Sequence, residues 1–168
     1  VDRIKKVQFT GKIKTSFFGK QRCVYFEYAF FYGANWSSST GHYHTTENFF
    51  VEVEGKKIEL GVPPARLYLK PTYEKEFDSK KAPPAIKKML HNVFTLEPIP
   101  EKVLIREWCI MPNKEYFFRI TSETYYLPPL KGSTEPQACP SKIYEIADIN
   151  YSEEEKKKYK TPASYWTY

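Results

Sequence analysis

Cys23-Val24-Tyr25-Phe26-Glu27-Tyr28-Ala29-Phe30-Phe31-Tyr32 is the stretch whose reading decides the fold. Val24, Phe26, Tyr28, Phe30 and Tyr32 recur with a period of two, while the alternate positions are mixed. Aromatic and β-branched residues dominate, and neither Gly nor Pro interrupts them. Such a run predicts a strand with one face against a core.

On its N-terminal side, Val7, Phe9, Gly11 and Ile13 alternate loosely and predict a first strand. Ser16 to Gln21, around Gly19, predicts the turn that pairs it with the central strand as an antiparallel hairpin. On the C-terminal side, Gly33 to Tyr43 is rich in Ser, Asn, Thr and Gly and predicts a loop, with Trp36 as a lid over the core. Phe49, Val51 and Val53 then alternate with Glu52 and Glu54, and Ile58 and Leu60 return the apolar face after a turn at Gly55-Lys56. This predicts a second hairpin with one wet face. Val62-Pro63-Pro64-Ala65 ends the pairing, because Pro has no N–H to give a ladder. Leu67 and Leu69 make a short apolar pair beyond it.

Within Asp78 to Phe94, Pro83 and Pro84 suit a helix's first turn, and Ile86, Met89, Leu90 and Val93 fall on one stripe. Lys87, Lys88 and His91 lie off it, so one side leans on the sheet. Leu104, Arg106, Trp108 and Ile110 share one face of a further strand, and Tyr116, Phe118 and Ile120 share one face of the next. With Pro112-Asn113-Lys114 between them, they predict a third hairpin. Tyr125 to Pro140 carries four Pro and predicts irregular chain, and Ser141 to Ile149 predicts a short strand. Ser152-Glu153-Glu154-Glu155 is a capping box. Its helix opens on Glu and closes on Lys156, Lys157 and Lys158, with Glu153–Lys157 and Glu154–Lys158 at pairing distance, before Thr161-Pro162 stops it. Tyr165, Trp166 and Tyr168 end the chain.

The 168 residues suit one domain with a real core. Aromatics reach 17 %, with 14 Tyr, 12 Phe and 3 Trp against 7 Gly, which favours strands with large buried rings. The net charge of +6 permits attraction to anionic lipid or nucleic acid, although most Lys residues sit beside Glu or Asp as on any solvated surface. No run of 18 apolar residues occurs and the chain opens on Val, so it reads as a soluble piece of a longer protein. Cys23, Cys109 and Cys139 are too few and too dispersed for a zinc ribbon or RING finger. One disulfide with a spare thiol and three reduced thiols are both compatible with them. Asn35 and Asn150 head Asn-x-Ser sequons, acceptors for glycan if the chain is exported.

Chemistry is sparsely signalled. There is no Gly-rich phosphate loop and no G-x-S-x-G elbow. His42 and His44, at i and i+2 of an extended segment, are the weak metal candidates, with His91 or a Cys to complete a set. Cys23, with no base nearby in sequence, reads as a structural thiol. The aromatic strands and basic balance allow a single-stranded nucleic-acid reading, against which rings at strand spacing read first as core.

Cys23-Val24-Tyr25-Phe26 with its aromatic strand and Trp36, then Phe50 to Lys56, Val62-Pro63-Pro64-Ala65, and Arg106 to Phe117, occur in the order and spacing that resembles the GIDE, or beside-a-membrane (BAM), domain. The resemblance covers roughly residues 8 to 120. Arg119-Ile120-Thr121 departs from the family's usual Gly, and the tail from Tyr125 has no counterpart. The resemblance implies a soluble domain held next to a bilayer by flanking transmembrane helices. In membrane-anchored mitochondrial ubiquitin ligases such domains accompany a RING finger, whereas prokaryotic relatives lack it. Ligase activity does not carry over to a chain without RING cysteines, and no catalytic residue transfers.

The fold expected is mainly β (α+β): antiparallel hairpins forming a curled sheet or small barrel, an amphipathic helix packed on it at about 82–94, and a peripheral helix at about 152–160. It would be a single domain over 1–168, with a GIDE-like β core over 8–120 and a Pro-rich extension over 121–168. The function expected is a non-enzymatic interaction or sensing domain of a membrane-anchored protein, without cofactor. Its partner would be another protein or its own membrane-embedded segments, with an anionic lipid surface as a further contact. A nucleic-acid-binding β-barrel and a small metal-dependent enzyme using His42 and His44 are the alternatives.

Overall fold

The structure, a computed structural model, describes residues 4–61, 65–96 and 98–159. The Val62-Pro63-Pro64 exit, the Thr161-Pro162 stop and the Tyr165, Trp166 and Tyr168 end fall outside the described residues. The strands are β1 Lys5–Val7, β2 Phe9–Gly11, β3 Lys14–Thr15, β4 Arg22–Cys23, β5 Tyr25–Tyr32, β6 Ser38–His44, β7 Phe49–Val53, β8 Lys56–Leu60, β9 Arg66–Tyr68, β10 Tyr73–Asp78, β11 Lys102–Ile110, β12 Tyr116–Leu127 and β13 Gln137–Asp148. The helices are α1 Pro84–Val93 and α2 Glu153–Lys158. The protein is mainly β, as the periodicities predict. Its strands form four separate sheets, ordered β10-β11-β5-β6, β1-β12-β13-β9, β2-β7-β8 and β3-β4, and among the described residues none closes into a barrel.

The β10-β11-β5-β6 sheet is central. Its pivot is the antiparallel pairing of β5 with β11, from Leu104↔Phe31 to Ile110↔Tyr25. Both strands are covered on both faces, a correction to the single buried face expected of β5. The odd residues of β5, Tyr25 and Ala29, join Trp108 and Ile110 in the main core with Phe9, Phe49, Val51, Leu67, Tyr116, Phe118 and Ile146 from the other sheets. On the opposite face Phe30 and Ile105 join Phe77, Val103 and Leu90 under α1. Ile86, Met89 and Val93 of the predicted stripe pack there too.

Burial on both faces obliges the charged residues of these strands to find partners, because an unpaired buried charge is costly. Glu107, wholly buried, accepts the backbone N–H groups of Phe18 and Gly19, each at 2.8 Å. That carboxylate fastens the Ser16–Gln21 turn to the sheet. Asp148, 4 % exposed, accepts the Lys70 N–H and the Lys114 ammonium.

Of the predicted hairpins only β7–β8 forms whole, and its turn is Glu54-Gly55 rather than Gly55-Lys56. Both turn residues have positive φ, 53° and 78°, as a type I′ turn requires. The first hairpin is reduced to the two rungs of β3–β4, because β2 pairs with β7 instead. The third does not form: β11 stays in the central sheet while β12 pairs with β1 and β13. The Tyr116 hydroxyl, accepting the Met111 N–H at 2.8 Å, closes the corner where the chain changes sheet.

Two strands lie where none was expected. Ser38–His44, read as loop, is the polar edge strand β6, and Tyr73–Asp78 is the edge strand β10. Of the 125–140 segment read as irregular, 128–136 is the connection and the flanking residues are strand, the outer end of a long antiparallel ribbon. The seven rungs from Thr121↔Ile143 to Leu127↔Gln137 run past the last flanking pairs, which β1 makes with 116–118 and β9 with 145–147. At ~3.4 Å per residue these seven rungs span about 24 Å of ribbon. The 121–168 extension is therefore no appendage throughout, since Ile146 and Asp148 of β13 sit in the interior. Its terminal helix has the predicted capping box, with Ser152 Oγ accepting the Glu155 N–H and the Glu155 carboxylate accepting the Ser152 N–H. Its ion pairs are Lys156–Glu153 and Lys70–Glu155 rather than the i, i+4 pairs expected.

Two substitutions test this packing. Leu90→Ala lowers the unfolding free energy by about 2–5 kcal/mol in urea titrations followed by circular dichroism, while exposed Lys87→Ala stays within about 0.5 kcal/mol. Gly41 of β6 has φ +64°, and a Cβ there would meet Phe30 Cδ2 at 2.7 Å and Val93 Cγ1 at 2.8 Å. Gly41→Ala accordingly destabilises by more than about 1 kcal/mol in the same assay, and an unchanged midpoint contradicts the β6–α1 contact.

Candidate functional site

His42 and His44 both lie on β6, as their spacing requires, but neither points to a metal centre. His42 Nε2 bonds Ser39 Oγ at 3.0 Å, and partial burial lowers its pKa, favouring the neutral ring. His44 Nδ1 bonds the Thr45 carbonyl at 3.1 Å and stands opposite Glu27 in the β5–β6 ladder. His91 is on the exposed side of α1. Among the described residues no group of three or more His, Cys, Asp or Glu is placed to hold a metal ion.

The cysteines divide two and one. Cys23 and Cys109 are both buried and pack together beside Phe26. Thr72 Oγ1 donates to Cys109 Sγ at 3.2 Å. The bond to Cys109 and burial push the Cys23 thiol up, so it stays protonated. Cys109, the acceptor, is lowered by its bonds from Cys23, Thr72 and Ser16. All three thiols are free, and Cys139, half-buried on the ribbon opposite Tyr125, is the outlying one. The sequon residues Asn35 and Asn150 are exposed, both with positive φ.

A cleft of about 950 Å³ lies over the central sheet. Its floor is a single sheet face spanning all four strands: Glu74 and Glu76 from β10, Leu104 and Arg106 from β11, Phe31 from β5 and Ser39 from β6. The register lines them up as Glu74↔Arg106, Glu76↔Leu104, Leu104↔Phe31 and Phe31↔Ser39. Lys157 and Lys158 of α2 form one rim, and a 3₁₀ turn at Ala34–Trp36 brings Trp36 to the other. Trp36 is half-buried and belongs to no core cluster, which corrects its reading as a lid.

Arg106 is the group of greatest interest here. It is only 6 % exposed, and its Nε donates to Glu74 Oε2 at 2.5 Å. Its guanidinium lies 5.0 Å from the Phe31 ring and 5.2 Å from the Tyr159 ring. Compared with known proteins, the chain matches no family model, no curated protein and no solved structure.

Sequence reasoning placed Arg106 on the right strand face without marking it. The available signal was a full positive charge inside the alternation Leu104, Trp108, Ile110. Glu74 carried no signal, since β10 was not foreseen.

Thiol accessibility gives a direct check. Iodoacetamide applied to the folded protein modifies Cys139 first in mass spectra, whereas Cys23 and Cys109 react only after denaturant is added. Equal rates at all three sites contradict the buried pair.

Proposed function

We propose that this chain is a non-enzymatic interaction domain of a membrane-anchored protein, of the GIDE type that its motifs resemble, and that it meets an anionic lipid surface through the β12–β13 ribbon. The observation that carries the reading is the ribbon's outer end. Tyr125, Tyr126, Leu127 and Leu130 are 52 %, 67 %, 44 % and 64 % exposed, on the part of the ribbon that lies past the last rungs made by β1 and β9 among the described residues.

Exposed apolar residues grouped on a slender projection mark a contact surface rather than a core. Tyr suits the boundary of a bilayer, where its ring is immersed and its hydroxyl stays wet. Pro128, Pro129 and Pro136 carry no N–H, which reduces the number of backbone donors to be desolvated at the end of the ribbon. The Gln137 side chain donates to the Pro128 carbonyl at 2.8 Å, and Ser133 N–H to the Leu130 carbonyl at 2.9 Å, so part of the remaining backbone is satisfied internally. Lys131 adjoins the apolar residues, and the chain's net charge of +6 draws it toward anionic headgroups. Arg66 braces the ribbon's base through a two-pronged bond to Glu123, at 2.8 and 3.1 Å.

The reading supposes no catalysis. The nucleic-acid alternative calls for exposed rings on a barrel, and in the aromatic strand β5 the rings of Tyr25, Phe26 and Phe30 are buried.

Flotation with phosphatidylcholine–phosphatidylserine vesicles tests the lipid contact. The chain floats with these vesicles, more weakly at high salt, and the double variant Leu127→Ser, Leu130→Ser stays at the bottom of the gradient with an unchanged circular dichroism spectrum. Flotation of the variant equal to that of the parent, or no flotation of the parent on any vesicle, overturns the reading.

A further inference from the structure

We propose that the cleft over the β10-β11-β5-β6 sheet is a binding site for a small organic anion, a flat ring bearing a carboxylate or a phosphate ester, with Arg106 as its anchor. This is independent of the lipid reading, since the cleft and the ribbon share no residue.

The first argument is the unfinished bonding of Arg106. A guanidinium has five N–H donors in a fixed fork and cannot relieve its burial by losing a proton. Nε is used by Glu74, and the flat group is held by the Phe31 and Tyr159 rings. Among the described residues the terminal Nη groups make no hydrogen bond, and the residue lines the cleft. A side chain so fixed at one edge, with its other donors left over, is prepared for a two-oxygen acceptor.

The second is the local charge. Glu74 is matched by Arg106, and Glu76 is matched by Lys102 at 3.6 Å. Lys157 and Lys158, both lining the cleft, have no carboxylate within ion-pair distance among the described residues. Three cations therefore face two carboxylates that already have partners, and the cleft favours a negative guest.

The third is the backbone conformation around Trp36. Asn35 and Trp36 are consecutive non-glycine residues with positive φ, 54° and 55°, after Gly33 at 81°. Left-handed backbone is disfavoured for bulky side chains and persists where the surroundings enforce it. The turn is closed by Trp36 N–H to the Gly33 carbonyl at 3.1 Å and Ser37 N–H to the Ala34 carbonyl at 3.2 Å. Its result is an indole at the rim rather than in the core, offering a flat apolar face to a ring whose oxyanion reaches Arg106. The hydroxyls of Ser37 and Ser39 line the same space. The volume is of the size that holds a small organic molecule.

The test follows the Trp36 indole N–H resonance of the ¹⁵N-labelled full chain, assigned by its loss in Trp36→Leu. Benzoate, phenyl phosphate, inorganic phosphate and benzyl alcohol are the probes. The expected result is a saturable shift with benzoate or phenyl phosphate, the better of the two identifying the oxyanion, and weaker binding of inorganic phosphate and benzyl alcohol. Arg106→Lys keeps the charge but loses the fork, and weakens binding of the ring anion by about tenfold or more. Trp36→Leu, at the rim and outside the core, is read by calorimetry and weakens binding in the same sense, so the question stays answerable if Arg106→Lys does not fold. No shift with either ring anion to millimolar concentration, equal binding of benzyl alcohol, or parent-like affinity in both variants overturns the proposal.

Discussion

The pairing of β5 with β11 is the constraint from which the rest of the molecule follows. Two adjacent strands packed on both faces require cover on both sides, and they receive it from the β1-β12-β13-β9 and β2-β7-β8 sheets on one and α1 on the other. They also carry Glu27, Arg106 and Glu107 into the interior. Each of these charges draws something toward it. Glu107 gathers the Phe18-Gly19 turn, Arg106 gathers Glu74 from the edge strand, and Glu27 faces His44 across the ladder. Loops and edges are thus positioned by electrostatic demands made at the centre. Burial of ionic groups is a poor source of stability in itself. Its effect here is to give the surrounding segments one arrangement in place of several.

Much of this was legible in the chain. The β5 strand itself, the Glu/Val alternation of β7, the Ile86-Met89-Leu90-Val93 stripe and the Ser152 capping box each depend on near neighbours and each is present, although β5 is buried on both faces rather than one. The failures share a physical origin in strands whose environment is set by distant partners. β10 holds one buried side chain, Phe77, among exposed charges, as an edge strand does, so its alternation was faint. β6 is built of Ser, Thr, Gly and His with a single Tyr43, and pairs because β5 offers a row of backbone donors and acceptors. The Pro residues near the ribbon sit in its connecting segment and at Pro140, a position opposite Thr124 at an edge, where a missing N–H does no harm. The supposed third hairpin failed because proximity in sequence says nothing about which sheet a strand joins.

The candidate cleft was less legible than the fold. Its floor is assembled from four strands, and a period-two reading of any one of them reveals at most two residues of the set. Only the register puts Glu74, Arg106, Phe31 and Ser39 on one face. The contrast with the ribbon is instructive: Tyr125 through Leu130 is contiguous, and what concealed it was the expectation that so much Pro means no order. A concave and a projecting surface therefore occupy different parts of the molecule, one made by the central sheet and the other by the Pro-rich C-terminal extension.

The ribbon also bears on self-association. Beyond its flanking strands both of its margins present backbone groups that have no ladder partner among the described residues, the arrangement through which one polypeptide templates another into a growing fibre. Along β13 the row is interrupted by Pro140 and by the ammonium of Lys142, and along β12 by the Glu123 carboxylate. These interruptions act as gatekeepers against runaway polymerisation, and they let so long a pair of strands stand in water as a discrete finger.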